Sequence, residues 1–254
     1  MNDYQFDYAA GKPQMYDKLS REQKALRIIK TLDNFFSPRK TEDLSLLDIG
    51  SSTGIIDNIL ASKFKKVTGV DIDVEAVKFA QKKFKRKNLD FLVGDAMKLP
   101  FRNARFDVVI CSQVYEHVPS VEKLFLEIYR VLKLSGVCYL TAQNRIWPWE
   151  AHYNLPFLAW LPKALANLYV KVAGRAEEYY ENPRTYWGLR ELTKNFKRVE
   201  YTQKILREPY KFGYADTPNI PLKSIAWFFS PFSKYLSPTF FWILEKDKRK
   251  TKST

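Results

Sequence analysis

The sequence predicts an open α/β fold, a mostly parallel sheet with helices on both faces. Three observations carry this. From Leu44 onward short apolar runs alternate with stretches of helical periodicity, the order of a sheet built from crossover units. The runs are apolar along their whole length, as strands covered on both faces are. A turn with two glycines, Gly50 and Gly54, joins the first run to the first helix, where such folds bring the backbone close to a ligand.

In chain order, a helix is predicted over Lys18–Phe36, because Leu26, Ile29, Leu32 and Phe36 recur at helical spacing and Pro38 stops the pattern. The strands predicted are Leu44–Ile49, Lys66–Asp71, Leu89–Val93, Phe106–Cys111 and Gly136–Thr141, with helices at Gly54–Phe64, Val74–Arg86 and Val121–Leu132 between them. In the second of these helices Val74, Val77, Ala80, Gln81 and Phe84 lie near one face, and Lys78, Lys82, Lys83 and Lys85 lie largely off it. No internal repeat is visible.

Composition bounds the rest. A chain of 254 residues can bury one large core. Two cysteines and two histidines show no disulfide framework and no metal triad, so no metal is expected. The first thirty residues lack an apolar core run, and no stretch reaches the roughly 18 residues of a spanning helix. A cytoplasmic protein, able to sit peripherally at a membrane, is expected. The net charge of +14 favours anionic partners. Of 39 Phe, Tyr and Trp residues, 23 follow Arg145, among them all six tryptophans. The chain changes character there.

The glycine turn alone is a common feature. Three acids add to it: Asp48 inside the turn motif, Asp71 at the end of the second strand, and Asp95 after the third. Singly each reads as a helix or turn cap. Together they converge on the carboxyl edge of the sheet, where open α/β folds bind ligands and where a carboxylate can accept both hydroxyls of a ribose. A dinucleotide-binding dehydrogenase would need a further glycine after Gly54, where Ile55, Ile56 and Asp57 stand, and leaves Asp95 unexplained.

The ordered set LLDIGSSTG, VTGVDID, VGDAMKLPF, FDVVICSQVYEHV and VLKLSGVCYLT resembles the successive motifs of class I S-adenosylmethionine-dependent methyltransferases, of the type 11 group. The resemblance spans Leu44–Ala142. It implies a Rossmann-like sheet of seven strands with an antiparallel last strand, and a single domain over 1–254: an N-terminal helical segment at 1–40, a cofactor-binding core at 44–142, and insertions at 146–184 and 207–237 that close an acceptor pocket. It implies S-adenosylmethionine as cofactor. Gly50, Ser51, Ser52 and Gly54 would wrap its methionine part and Asp48 would position the amino group. Asp71 would bind the ribose, Ile72, Asp95 and Ala96 would meet the adenine, and Ser112 and Gln113 would floor the sulfonium. Two positions depart from the family pattern. Ser52 stands where a glycine is usual, which is compatible with the turn if its φ is negative or the strain is compensated, and Lys133–Gly136 reads Lys-Leu-Ser-Gly.

The family fold places the last two strands at Phe196–Leu206 and Thr239–Glu245, after a helix at Tyr186–Asn195. In the first insertion Leu161, Leu165, Leu168, Tyr169 and Val172 form an apolar helical stripe. In the second, Ile220–Phe232 is intensely apolar and broken by Pro231. These segments read either as helices covering the sheet or as an interfacial surface facing acidic lipid, with Lys223, Lys234 and the tail Lys246–Lys252 beside it. Candidate bases are His152, with Glu150 near it, and His117, which in this family is often structural; Tyr115 and Tyr153 are expected as acceptor-pocket walls. The implied reaction is methyl transfer to a small, glycan, hydrophobic or lipid-linked acceptor, at oxygen. The alternatives are an RNA-directed methyltransferase, or an accessory protein that binds the cofactor without turnover. Ser112–Tyr115 lacks the motif of base-amine methylation, so a nucleic-acid partner is not expected. The oligomeric state stays open.

Overall fold

A computed structural model describes residues 5–38, 40–214 and 230–247. Helix α1 (Lys18–Phe36) precedes strand β1 (Ser45–Ile49); α2 (Ile55–Leu60), β2 (Lys66–Asp71), α3 (Val74–Lys83), β3 (Leu89–Val93), β4 (Phe106–Ser112), α4 (Val121–Val131) and β5 (Leu132–Gln143) follow. A short hairpin, β6 (Trp149–Glu150) and β7 (Leu155–Pro156), leads to α5 (Lys163–Val172) and α6 (Tyr186–Leu192). The described chain closes with β8 (Phe196–Glu200), α7 (Thr202–Arg207), α8 (Ser230–Leu236) and β9 (Thr239–Lys246).

Seven strands form one sheet in the order β3-β2-β1-β4-β5-β9-β8. β1 to β5 pair in parallel, and β9 runs antiparallel to both β5 and β8. The apolar runs divide by the two-residue period of a strand. Leu44, Leu46, Val108, Ile110 and Ile243 pack on the face covered by α1, α2, α3 and α7. Leu47, Ile49, Val109, Cys111 and Trp242 pack on the face covered by α4 and α6. Strand order reverses at β1, which opens the crevice beyond its carboxyl end.

Side-chain caps set several helix starts: Asp17 accepts from Leu19 N at α1, Asp73 from Ala76 N at α3, and Ser120 from Lys123 N at α4. Lys246, expected in an exposed basic tail, is instead buried and donates to the carbonyls of Tyr129 and Leu132 at the end of α4, at 2.7 and 2.8 Å. A lysine there satisfies carbonyls that the helix leaves open. The rest of that tail, 248–252, and Lys223 lie outside the described residues, as does most of the apolar stretch at 220–232.

Two further expectations are corrected. The strand over Phe196–Leu206 ends at Glu200. The Thr202 hydroxyl accepts from Phe241 N at 3.0 Å, occupying the donor the next strand residue would have used. The chain then turns into α7, where Tyr201 and Ile205 are buried in the core beside α1. On α5 the buried positions are Ala166 and Val170, packed with Leu155, Leu158 and Tyr179 in a small core of the insertion. Leu165, Leu168 and Val172 of the expected stripe face out, at 53%, 58% and 78% exposure. Small residues seat the helix here, and its larger apolar face is left uncovered.

Candidate cofactor and acceptor site

A cavity of about 390 Å³ lies at the switch point. Asp48, Gly50, Ser51, Ser52, Asp71, Ile72, Asp95, Ala96, Ser112 and Gln113 all line it, together with His117 and His152. Gly54 stands just behind the wall. A side chain on it would come within 2.5 Å of the Phe91 ring and 2.8 Å of Ala80, and its φ is +72°, so helix, strand and turn pack this closely only around glycine.

Ser52 resolves its departure from the family pattern by the second of the two routes. Its φ is +49°, a conformation that costs a non-glycine residue roughly 1–2 kcal/mol. Its N–H donates to Asp71 Oδ2 at 2.7 Å, while Asp71 Oδ1 accepts from Asp73 N at 2.9 Å. The acid that ends β2 thus holds the turn that follows β1. Gly50 N and Ser51 N donate to the Val70 carbonyl, drawing the same two connections together. Asp95 is an Asx turn, with Oδ1 accepting from Met97 N at 2.8 Å.

Asp48 sits beside Asp57 of α2, and both are buried. Burial raises both carboxyls, Asp48 to about 7 and Asp57 well above the ordinary range. Neither oxygen of Asp57 has a partner as a carboxylate. Protonated, it can donate to Asp48, so the pair holds a proton in the ligand-free protein. Lys24 and Arg21 of α1 line the cavity beside them. Burial pulls the Lys24 ammonium down to about 8, with the Arg21 charge adding to the shift.

Residues before α1, among them Tyr8, Ala9 and Met15, form part of the cavity wall. Ala9 N donates to Asp73 Oδ2 at 2.9 Å, and Thr53 Oγ1 to the Met15 carbonyl at 2.6 Å. Tyr8 rests on the His117 ring, centroids 5.0 Å apart. Tyr8, Arg21 and Lys24 were not expected in the site. Arg21 and Lys24 are one turn apart beside the apolar stripe of α1, and that spacing was the available signal.

At the far end the two expected bases meet, their rings 4.9 Å apart and nearly perpendicular. His152 Nδ1 lies 2.8 Å from Glu150 Oε1, and His117 Nδ1 lies 3.5 Å from Glu181 Oε1. Burial and the neighbouring His152 depress His117 to about 3, whereas His152 is raised: burial opposes its charge, but the Glu150 hydrogen bond and charge outweigh it. Tyr115 and Tyr153, expected as pocket walls, do not line the cavity. Tyr115 is buried, donates to the Gln143 carbonyl at 2.7 Å and accepts from Arg184 N at 2.7 Å. Tyr153 packs on Tyr179 and donates to the Glu178 carbonyl. Both are struts that fix the first insertion, because a phenol pays for its burial with a hydrogen bond to backbone.

Fold and site together define a doubly wound α/β protein with one ligand cavity at its switch point, running from the glycine turn to the two histidines. Residues 47–140 match the family described as Methyltransferase domain (type 11), and the chain carries a class I S-adenosylmethionine-dependent methyltransferase domain of that group. The ubiquinone/menaquinone biosynthesis C-methyltransferase UbiE of Desulfotalea psychrophila is 29% identical over 145 residues, 53% of this chain and 59% of that protein. The chain therefore spans little more than half the length of this curated relative. Among solved structures, the YcgJ protein of Bacillus subtilis superposes with a TM-score of 0.55 at 17% identity, over 89% of this chain and 99% of that one. The geranyl diphosphate C-methyltransferase of Streptomyces coelicolor, solved with Mg2+, geranyl diphosphate and S-adenosyl-L-homocysteine, superposes with a TM-score of 0.51 at 12% identity, over 87% and 77%. These two show likeness of fold.

The cavity fits S-adenosylmethionine. The hydroxyls of Ser51 and Ser52 are buried without partners, and the turn around them has the close backbone approach of a ligand cradle. The acids Asp48 and Asp71 and the cations Arg21 and Lys24 line one cavity, which suits a molecule that carries an ammonium, a carboxylate and a ribose.

Proposed function

We propose that this chain transfers the methyl group of S-adenosylmethionine to a ring carbon beside a hydroxyl, on a small apolar acceptor of the hydroquinone class. One observation carries the reading. The glycine-turn end and the His117–His152 end belong to one cavity, with Ile28, Ile110, Val114 and Val118 among its walls. A flat apolar ring suits such walls better than a glycan or a nucleic-acid base, and the name of the curated relative, a quinone-pathway C-methyltransferase, favours carbon over the oxygen expected from sequence.

In this reading Asp48 takes the ammonium of the cofactor, Arg21 and Lys24 its carboxylate, and Asp71 the ribose hydroxyls. The bound cofactor supplies an electrophilic methyl on sulfur. Ser112 and Gln113 place that sulfur; Ser112 is itself fixed by a 2.8 Å hydrogen bond to Thr141. The acceptor hydroxyl lies at the polar end, beside His117 and His152, where its proton would pass to solvent and make the neighbouring ring carbon nucleophilic; once methylated, that carbon would give up its own proton and the hydroxyl would be restored. Holding the two molecules in line supplies much of the rate. Incubation with methyl-labelled S-adenosylmethionine and a panel of hydroquinones is expected to give a product labelled at carbon. A labelled ether, or no labelled product from any hydroquinone, would overturn the choice of acceptor.

The exposed apolar residues of the first insertion extend the proposal. Phe157 and Trp160 stack edge to face at 4.8 Å and are half exposed, next to the open face of α5. No helix among the described residues is long and apolar enough to cross a membrane. We place this face against the headgroup layer of an anionic membrane, from which an apolar acceptor would be drawn. Flotation with anionic vesicles is expected to recover the protein in the lipid fraction at low salt. Replacing Phe157, Trp160 and Leu168 together by serine is expected to reduce that recovery at least about tenfold, since each buried side chain contributes roughly 1.5–3 kcal/mol.

A further inference from the structure

Glu116 is fully buried in the turn after β4, and neither of its carboxylate oxygens has a hydrogen-bond partner. A lone carboxylate in such surroundings costs several kcal/mol unless a proton or a cation compensates it. The groups nearest to it make the second option specific. Glu116, His117 and His152 each offer one ligand atom, and these three atoms lie within 4.8 Å of one another. Metal–nitrogen and metal–oxygen bonds are about 2.0–2.2 Å, so an ion held here would draw the three atoms closer together than they stand.

The surroundings of the two imidazoles point the same way. Each has a carboxylate behind Nδ1, Glu150 for His152 at 2.8 Å and Glu181 for His117 at 3.5 Å. That leaves Nε2 of each ring for another partner, and neither nitrogen of His117 has a hydrogen bond. A carboxylate behind a histidine is the arrangement that fixes tautomer and ring orientation for metal binding. Glu150 is in turn held by Gln143 Nε2 at 2.9 Å and by Tyr153 N at 2.8 Å. The segment carrying Glu181 is tied to the Glu116 turn by Asn182 N donating to the Glu116 carbonyl at 2.9 Å. Three buried carboxylates thus surround two imidazoles in a chain whose net charge is +14.

We propose that Glu116, His117 and His152 bind one divalent transition-metal ion, with Glu150 orienting the His152 ring through its hydrogen bond and Glu181 as a charge beside His117. Two nitrogens and one carboxylate suit Zn2+, Co2+, Mn2+ or Fe2+ better than Mg2+, which prefers an all-oxygen shell. His117 and His152 line the cavity, so the ion would sit at its wall. Binding of the ion does not depend on the acceptor reading above. Only its use does: an ion here would take the acceptor hydroxyl oxygen and ease loss of its proton.

The full chain, stripped with chelator, is titrated calorimetrically with Zn2+ and with Co2+, the latter also followed by visible absorption. One equivalent of each is expected to bind. Glu116→Gln, His117→Gln and His152→Gln are each expected to weaken binding at least 100-fold, and Glu150→Gln about 10- to 100-fold. Circular dichroism checks that each variant is folded; if Glu116→Gln is not, His152→Gln on the hairpin loop decides. Wild-type protein that binds S-adenosylhomocysteine but neither metal, or metal binding unchanged in His152→Gln, would overturn the site. Metal binding without any methyl transfer to a hydroquinone would leave the site standing and remove the acceptor reading instead.

Discussion

Asp71→Ala is expected to weaken S-adenosylhomocysteine binding by at least about 100-fold, about 3 kcal/mol, in calorimetric titration. Two effects combine. In the proposed binding mode the ribose loses its charged acceptors, each charge-assisted hydrogen bond being worth roughly 1.5–3 kcal/mol. The turn also loses the anchor that holds Ser52 at positive φ, because Ser52 N has Asp71 Oδ2 as its partner. The two are separable. Adding Ser52→Gly to Asp71→Ala should recover the thermal stability lost with the anchor, since glycine adopts that backbone without strain, and should leave the affinity low. Asp71→Asn keeps one oxygen acceptor and should fall between wild type and alanine. An alanine variant that binds within threefold of wild type would place the ribose elsewhere.

Cofactor affinity is expected to climb about tenfold per pH unit between pH 5 and about 7, and then to level off. In the ligand-free protein burial raises Asp48 to about 7; Asp71 adds to the rise, while Lys24, Arg21 and the hydrogen bond from Asp57 oppose it. Below that value the carboxyl is protonated and must release its proton to meet an ammonium. Calorimetry at pH 6 in buffers of different ionisation enthalpy should therefore show close to one proton released per cofactor bound. Asp48→Asn should flatten the profile and hold the affinity low across it. The same group sets a trend in stability. Its pKa in the fold lies above its unfolded value, so its contribution is complete below about 4 and is lost as pH rises through about 7. The ligand-free protein should lose thermal stability over that window, and cofactor should restore it.

How much of this was legible follows from how local each signal is. Strands β2 and β3 and helix α1 stand at the bounds expected from sequence, because apolar runs between glycine, acid and proline punctuation depend on nearby residues alone. The acids at the ends of β1 and β2 and after β3 were legible for the same reason, since a parallel sheet brings successive strand ends to one edge. The orientation of α5 was not. Its large residues form the clearer stripe, and the small Ala166 and Val170 make the contact that seats it. Tyr115 and Tyr153 read as pocket walls because an aromatic near a strand end fits either role, and only the backbone partners of their hydroxyls decide. The polar end of the cavity was illegible as a unit. Glu116 and His117, Glu150 and His152, and Glu181 come from three separate connections, and His117 and His152 belong together only once β4, β5 and the first insertion have been placed.

The position of β9 bears on how the protein is made. It follows every other described strand in sequence yet lies between β5 and β8, so on the ribosome the first five strands can pair while β5 remains an open edge and β8 has nothing to join. Seven residue pairs of β5 wait for their partner until residue 245 has been synthesised. An unpaired, largely apolar strand edge is a template for association with other chains. The nascent protein thus exposes this apolar edge until β9 emerges, and substitutions that weaken β9 are expected to lower the soluble yield.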